Sequence, residues 1–195
     1  MYEFTDKVMK RLARQITERF SRFSKSILTF DSINALQKAV TDCYKDCIKE
    51  ARKAYLEIGK HYYKEAGGKD DAFIDALWVD HILSDYDPVT KYIFNNEADR
   101  KRARTFESIV VSKDPKEVNS AMKYLFDQIK QFADNITDEA TLNAYEGRGI
   151  RKVKWKTEED ARVCATCGER NNQIYSIGSV PPKPHLRCRC YLLPV

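Results

Sequence analysis

The chain has 195 residues, 43% of them hydrophobic and 32% charged, with a formal net charge of +5. That length holds one domain, or one domain with a small appendage, and the composition excludes a disordered polymer. No apolar run approaches the roughly eighteen residues of a membrane helix, and the opening Met1-Tyr-Glu-Phe-Thr-Asp6 lacks the basic-then-apolar order of a secretory leader. The chain is therefore expected to fold in a reducing cytosol.

The first helix is expected to start at Thr5 or Asp6, both good N-caps. Val8, Leu12, Ile16, Phe20, Phe23 and Ile27 recur at three- and four-residue steps, an amphipathic stripe with Lys10, Arg14 and Glu18 on the other faces. Asp31 or Ser32 can cap a second helix, whose stripe runs from Ile33 through Leu36, Val40, Cys43, Cys47, Ala51, Ala54 and Ile58 to Tyr62 and stops at Gly67-Gly68. Cys43 and Cys47 read as buried small hydrophobes, because no His or acid joins them on that stripe. His61 has no evident partner and receives no role.

Asp70-Asp71 can cap a helix carrying Phe73, Leu77, Trp78 and Ile82. Asp75, Asp80 and His81 cluster there, but Asp and His on a polar helix face are ordinarily solvated rather than catalytic. Asp87-Pro88 and Asp114-Pro115 each place a cap before a proline at the first helical position. The first of these helices runs through Tyr92, Ile93 and Phe94 into the basic run Asp99-Arg-Lys-Arg-Ala-Arg104, a solvated face or a phosphate contact. The second has a core stripe of Val118, Met122, Leu125, Phe126, Ile129 and Phe132. Thr137 is then expected to cap a separate short helix ending at Gly147, with a turn at Arg148-Gly149.

Beyond that turn the chain changes character. Ile150–Trp155 reads as a strand from its β-branched and aromatic content, and Ile174-Tyr175 and Tyr191–Leu193 read as further short strands. The expected fold is mainly α: an elongated helical body of five or six helices over residues 1–136, carrying a small C-terminal α+β, Cys/His-rich module over residues 137–195.

That module holds four of the six cysteines and one of the three histidines. Cys164-Ala-Thr-Cys167 is followed, after a spacer of seventeen residues, by His185-Leu-Arg-Cys188-Arg-Cys190. Two turns that each offer a ligand pair are the arrangement of a structural zinc site. Bound zinc can contribute roughly 10 kcal/mol or more to folding, enough to hold a loop-rich segment broken by Pro181, Pro182 and Pro184. Disulfides and unliganded thiols are the alternatives, and a reducing compartment favours metal over disulfide. Cys164, Cys167, His185 and Cys188 form the first candidate set, and Cys190 can replace His185. A catalytic zinc would keep an open position beside a general base; Glu169 is the one acid between the two pairs, which speaks against it.

From Gly147 to Val195 ten Lys or Arg face four Asp or Glu, a balance of +6, so the first 146 residues sum to −1. A basic end suggests an acidic partner: nucleic acid, or an acidic protein surface. Arg151, Lys152, Lys154, Arg187 and Arg189 are the candidate phosphate contacts. Aromatic side chains for base stacking are at hand in Trp155, Tyr175 and Tyr191, although these equally suit a small core.

The ordered residues Gly149-Ile-Arg-Lys-Val-Lys-Trp155, Thr157, Asp160, Arg162-Val-Cys164-Ala-Thr-Cys167, Tyr175, Pro182, His185, Cys188-Arg-Cys190, Leu192 and Pro194 resemble the phage head morphogenesis family. These are the Mu F-like minor head proteins of tailed bacteriophages. The resemblance covers roughly residues 137–195, and Leu186 departs from it where the family often has proline. It implies a minor capsid protein of the virion, passing through the host cytoplasm during assembly. It further implies association with the portal protein, a role in head assembly and DNA packaging or ejection, and contact with packaged DNA. Toxin fusions occur in the family, but the upstream residues carry no glycine-rich phosphate loop, nucleophile elbow or HExxH, so no enzyme is expected. The competing expectation is a zinc-knuckle nucleic-acid-binding protein without a virion role.

Overall fold

A computed structural model of the chain describes residues 2–26, 33–86, 115–185 and 188–195. The described elements are α1 (Glu3–Ser26), α2 (Ile33–Glu65), a 3-10 turn at Asp71–Phe73, α3 (Ala76–Tyr86), α4 (Pro115–Gly147), β1 (Lys152–Lys156), α5 (Ala165–Arg170), β2 (Ile174–Ser176), a 3-10 turn at Ile177–Ser179 and β3 (Tyr191–Pro194). The chain is mainly helical with a small C-terminal sheet. The Asp31 and Ser32 caps, the Asp87-Pro88 helix, the Asp99–Arg104 run, Asp114, Leu186 and Arg187 lie outside the described residues. The side chains of Cys43, Phe20, Phe23, Val118, Met122, Leu125 and Phe126 lie outside the description too.

The amphipathic periods work as expected where they are described. Val8, Met9, Leu12 and Ile16 of α1 meet Cys47, Ala51, Ala54, Tyr55, Ile58 and Tyr62 of α2. Ile129, Phe132, Ala133, Ile136 and Ala140 of α4 complete this core. Burial of each large aliphatic or aromatic side chain stabilises by about 1.5–3 kcal/mol. Cys47 lies buried among these residues as a small hydrophobe. His61 does have partners: its ring stacks on Phe4 at 3.7 Å between centroids, and Nε2 lies 3.6 Å from Glu65.

Three local expectations are corrected. First, α1 starts at Glu3, before both expected caps. Thr5 instead sits inside the helix, fully buried, with its hydroxyl 2.9 Å from that of Thr137, and Asp6 pairs with Lys130 at 3.1 Å. Second, the helix expected from Asp70 is interrupted. Asp70 accepts from the Ala72 N–H to cap only a 3-10 turn, and Asp75 restarts the helix by accepting from Trp78 N–H at 2.9 Å. Phe73 and Leu77 are left exposed in consequence, while Val79 is buried.

Third, Thr137 caps nothing. Its hydroxyl donates back to the Ala133 carbonyl at 3.0 Å, and α4 runs through it unbroken for 33 residues. A threonine inside a helix can satisfy its hydroxyl on the preceding turn, so its presence does not enforce a start. Of the five or six helices expected in the body, four are described: two of the expected pieces are one helix, and the Asp87-Pro88 helix falls outside the described residues.

α2 and α4 end in the same way. Gly67 and Gly149 adopt φ of +86° and +81°, and the N–H groups of Gly68 and Ile150 close back on Tyr63 and Tyr145. Glycine is favoured at such a left-handed helix end. Arg148 then donates to the Ala66 carbonyl at 2.7 Å, binding the two helix ends together.

The helix ends open a second core. Ala66, Leu142, Ala144 and Tyr145 pack with Val153, Trp155, Cys167, Cys188, Cys190 and Leu192, and Tyr63 touches both cores. The change from one core to the next falls between Ala140 and Leu142, within α4. The three strands form an antiparallel sheet in the order β2-β1-β3. Val153 pairs with Tyr175 and Pro194, and Trp155 with Leu192, so this register turns Val153, Trp155 and Leu192 inward. No helix among the described residues is long and apolar enough to cross a membrane.

Candidate metal centre

Cys164 is the N-cap of α5, its sulfur accepting from the Cys167 N–H at 3.4 Å. The cap and the first turn therefore deliver both thiols of the C-x2-C pair to one side. Asn172, at φ +66°, turns the chain into β2, and the 181–190 segment returns His185, Cys188 and Cys190 to the same place.

Cys167 is the hub. Its Sγ lies 3.3 Å from His185 Nε2 and 3.7 Å from Cys188 Sγ. Zinc–sulfur bonds of about 2.3 Å and zinc–nitrogen bonds of about 2.0–2.1 Å in tetrahedral geometry separate ligands by about 3.8 Å (sulfur to sulfur) and about 3.5 Å (sulfur to nitrogen). The two spacings around Cys167 match. Cys164, Cys167 and His185 form one mutually close donor triad, and Cys167, Cys188 and Cys190 form another. None of the five described cysteines is in a disulfide, and four of them belong to this cluster.

The electrostatics fit a cation. Burial pushes Cys167 far up from an ordinary thiol, and burial likewise raises Cys188. The Cys167 N–H on its sulfur draws Cys164 down. A divalent ion supplies the positive charge that lets such crowded sulfurs ionise together. The cluster can therefore hold a metal ion, with Cys167 common to any compact set.

Three braces hold the ligand-bearing segments, and none was anticipated from the sequence. Arg170, at the end of α5, donates to the Pro182 carbonyl at 2.8 Å while its guanidinium sits 5.3 Å from the Trp155 ring centroid. Lys183, 2% exposed, pairs with Asp138 of α4 at 3.0 Å and donates to the Tyr2 hydroxyl. Arg189, between the last two cysteines, forms a two-pronged pair with Asp160 at 2.7 and 2.6 Å. That pair, with further hydrogen bonds from Arg162, holds the Asp160 carboxyl well below the usual carboxylate range. Lys183 offered one weak signal, its place between two prolines beside the candidate histidine.

The candidate phosphate contacts do not gather in one patch. Lys152 and Lys154 share the outward face of β1, and Arg151 is exposed beside them with its guanidinium on the Glu146 carbonyl. Arg189 is turned away toward Asp160, where it lines a groove of about 670 Å³ with Lys7, Lys10 and Arg14 of α1. Trp155 is buried and Tyr175 half-buried against it at 6.4 Å, so both belong to the core rather than to a stacking platform. Of the acid and histidine cluster in α3, Asp75 is spent as a cap and Asp80 pairs with Arg52 at 2.8 Å.

No protein-family model, curated protein or solved structure matches the chain.

Proposed function

We propose that this chain is a structural, non-enzymatic minor head protein of a tailed bacteriophage, acting at the portal vertex in head assembly and in DNA packaging or ejection. The observation that supports this most is the resemblance of the ordered set from Trp155 to Cys190, together with the convergence of its cysteines and histidine in one small module. A module tied by its own side chains and mounted on long amphipathic helices suits a part that docks rather than one that turns over substrate. Within it, Cys164, Cys167, His185 and Cys188 would hold a structural zinc ion, joining α5 to the 181–190 segment. The bound ion's contribution is cross-linking, since four protein donors leave no open position for a substrate.

A second reading, a zinc-knuckle nucleic-acid binder, draws on Lys152 and Lys154, which have no ion-pair partner among the described residues. Co-purification with the portal protein of the same genome, using zinc-loaded protein, separates the two. A complex of defined stoichiometry supports the head-protein role. Absence of a complex, together with DNA retention that falls steeply with salt, would replace it with the second reading.

A further inference from the structure

We infer that the outward face of the β2-β1-β3 sheet is a docking surface for an amphipathic helix of a partner protein, one presenting carboxylates at i and i+4 between aliphatic residues. This goes beyond the reading above, because it stands whether or not the partner is a portal protein.

The register builds the surface. Lys152, Lys154 and Lys156 alternate along β1 and so share one face, opposite to the buried Val153 and Trp155. Lys154 lies between Ile174 of β2 and Leu193 of β3. Lys152 lies beside Ser176, and the Val195 N–H bonds to its carbonyl at 3.1 Å. The aliphatic flanks are open to solvent, with Ile174 52%, Leu193 37% and Val195 60% exposed. Lys156 is already engaged by Glu159 and Asn172. Among the described residues Lys152 and Lys154 have no ion-pair partner. The face is thus a short cationic column flanked by Ile174 on one side and by Leu193 and Val195 on the other.

The dimensions select a helix. Ile174 and Leu193 stand two strand spacings apart, about 9.6 Å, close to the roughly 10–12 Å width of a helix with its side chains. Lys152 and Lys154 are about 6.6 Å apart along the strand, near the rise of about 6 Å between residues i and i+4 of a helix. A helix laid along β1 sets two carboxylates over the lysines and its flanking aliphatic residues on Ile174 and Leu193.

Nucleic acid fits this face less well. A phosphate backbone could pair with the two lysines, but it offers no apolar group to cover the exposed Ile174 and Leu193. Base stacking would need aromatic platforms, and the aromatic that the described register places here is the half-buried Tyr191, opposite Lys156.

The test uses the full, zinc-loaded chain and a labelled helical peptide of about five turns with Glu at i and i+4 flanked by Leu and Ile. A Gln-for-Glu version and a short DNA duplex serve as comparison probes. The Glu peptide should bind saturably at physiological salt. The Gln version should bind more weakly, and Lys152→Glu/Lys154→Glu and Ile174→Ser/Leu193→Ser should each weaken the Glu peptide by about tenfold or more. These side chains point outward, so circular dichroism and zinc content should not change. No binding of the Glu peptide overturns the inference, as does binding that Ile174→Ser/Leu193→Ser leaves intact. Tighter binding of the duplex through the same lysines assigns the face to nucleic acid instead. Self-association abolished by these substitutions assigns it to a second copy of the chain.

Discussion

The Tyr2 hydroxyl and the Cys190 carbonyl, 188 positions apart, lie 2.8 Å from one another. The same hydroxyl is 2.6 Å from Asp138, whose other oxygen takes the Lys183 ammonium at 3.0 Å. Burial, reinforced by the Asp138 charge, pushes the Tyr2 phenol well above its ordinary range, so it stays a neutral donor. The start of α1, the C-terminal half of α4 and the cysteine segment are therefore joined at one half-buried point.

Breaking that point on one side should be costly. Asp138→Ala strands the Lys183 charge, which is 2% exposed, and should destabilise by about 3 kcal/mol. Replacing both partners together, Lys183→Met with Asp138→Leu, should recover most of the loss, because no buried charge is left alone. Urea unfolding followed by far-UV circular dichroism measures both. Equal losses in the single and double variants would show that the cost does not come from a stranded Lys183 charge.

Metal content should depend unequally on the thiols. Cys167 stands in both donor triads, so Cys167→Ser should abolish zinc retention and unfold the module. With Cys164, Cys167, His185 and Cys188 as ligands, Cys190→Ser should keep one zinc per chain in native mass spectrometry. A chelator should reproduce the Cys167→Ser spectrum in the parent protein. Zinc retained by Cys167→Ser would refute this ligand assignment.

Acid should loosen the Asp160–Arg189 brace. A carboxyl whose folded pKa is depressed binds protons more readily when unfolded. Its stabilisation is present above the unfolded value of about 3.9 and is lost as pH falls through that value toward the folded one. Asp160→Asn removes the brace at every pH. The stability gap between parent and variant should be open at pH 7 and narrow below about pH 4. Melting curves across that range decide it, and a gap independent of pH would count against the brace.

Gly59 lies inside α2, where propensity alone favours alanine by about 1 kcal/mol. A Cβ at this position would lie 2.8 Å from Ile74 Cγ2 and 3.2 Å from the Trp78 ring. Gly59→Ala should therefore destabilise, by about 1–3 kcal/mol for an overpacked contact. A raised melting temperature would show that the 3-10 turn and α3 can shift at little cost.

The sequence by itself determined the helical class, the apolar stripes of α1 and α2 where they are described, the stops at Gly67 and past Gly147, the three described strands and the five metal-ligand candidates. These are local facts: helix and strand periods, left-handed helix ends and the short spacing of Cys164 and Cys167 follow from neighbours in the chain. Only the tertiary structure decided that Thr137 continues α4, since a threonine hydroxyl can cap a helix or bond back to the preceding turn, and here it bonds to Ala133 and packs against the buried Thr5. Only the tertiary structure set Cys167 as the hub, turned Arg189 onto Asp160 and brought Tyr2, Asp138 and Lys183 together. Those relationships join residues between 18 and 181 positions apart, and at such separations residue spacing carries no distance information. Packing of the two cores supplies it.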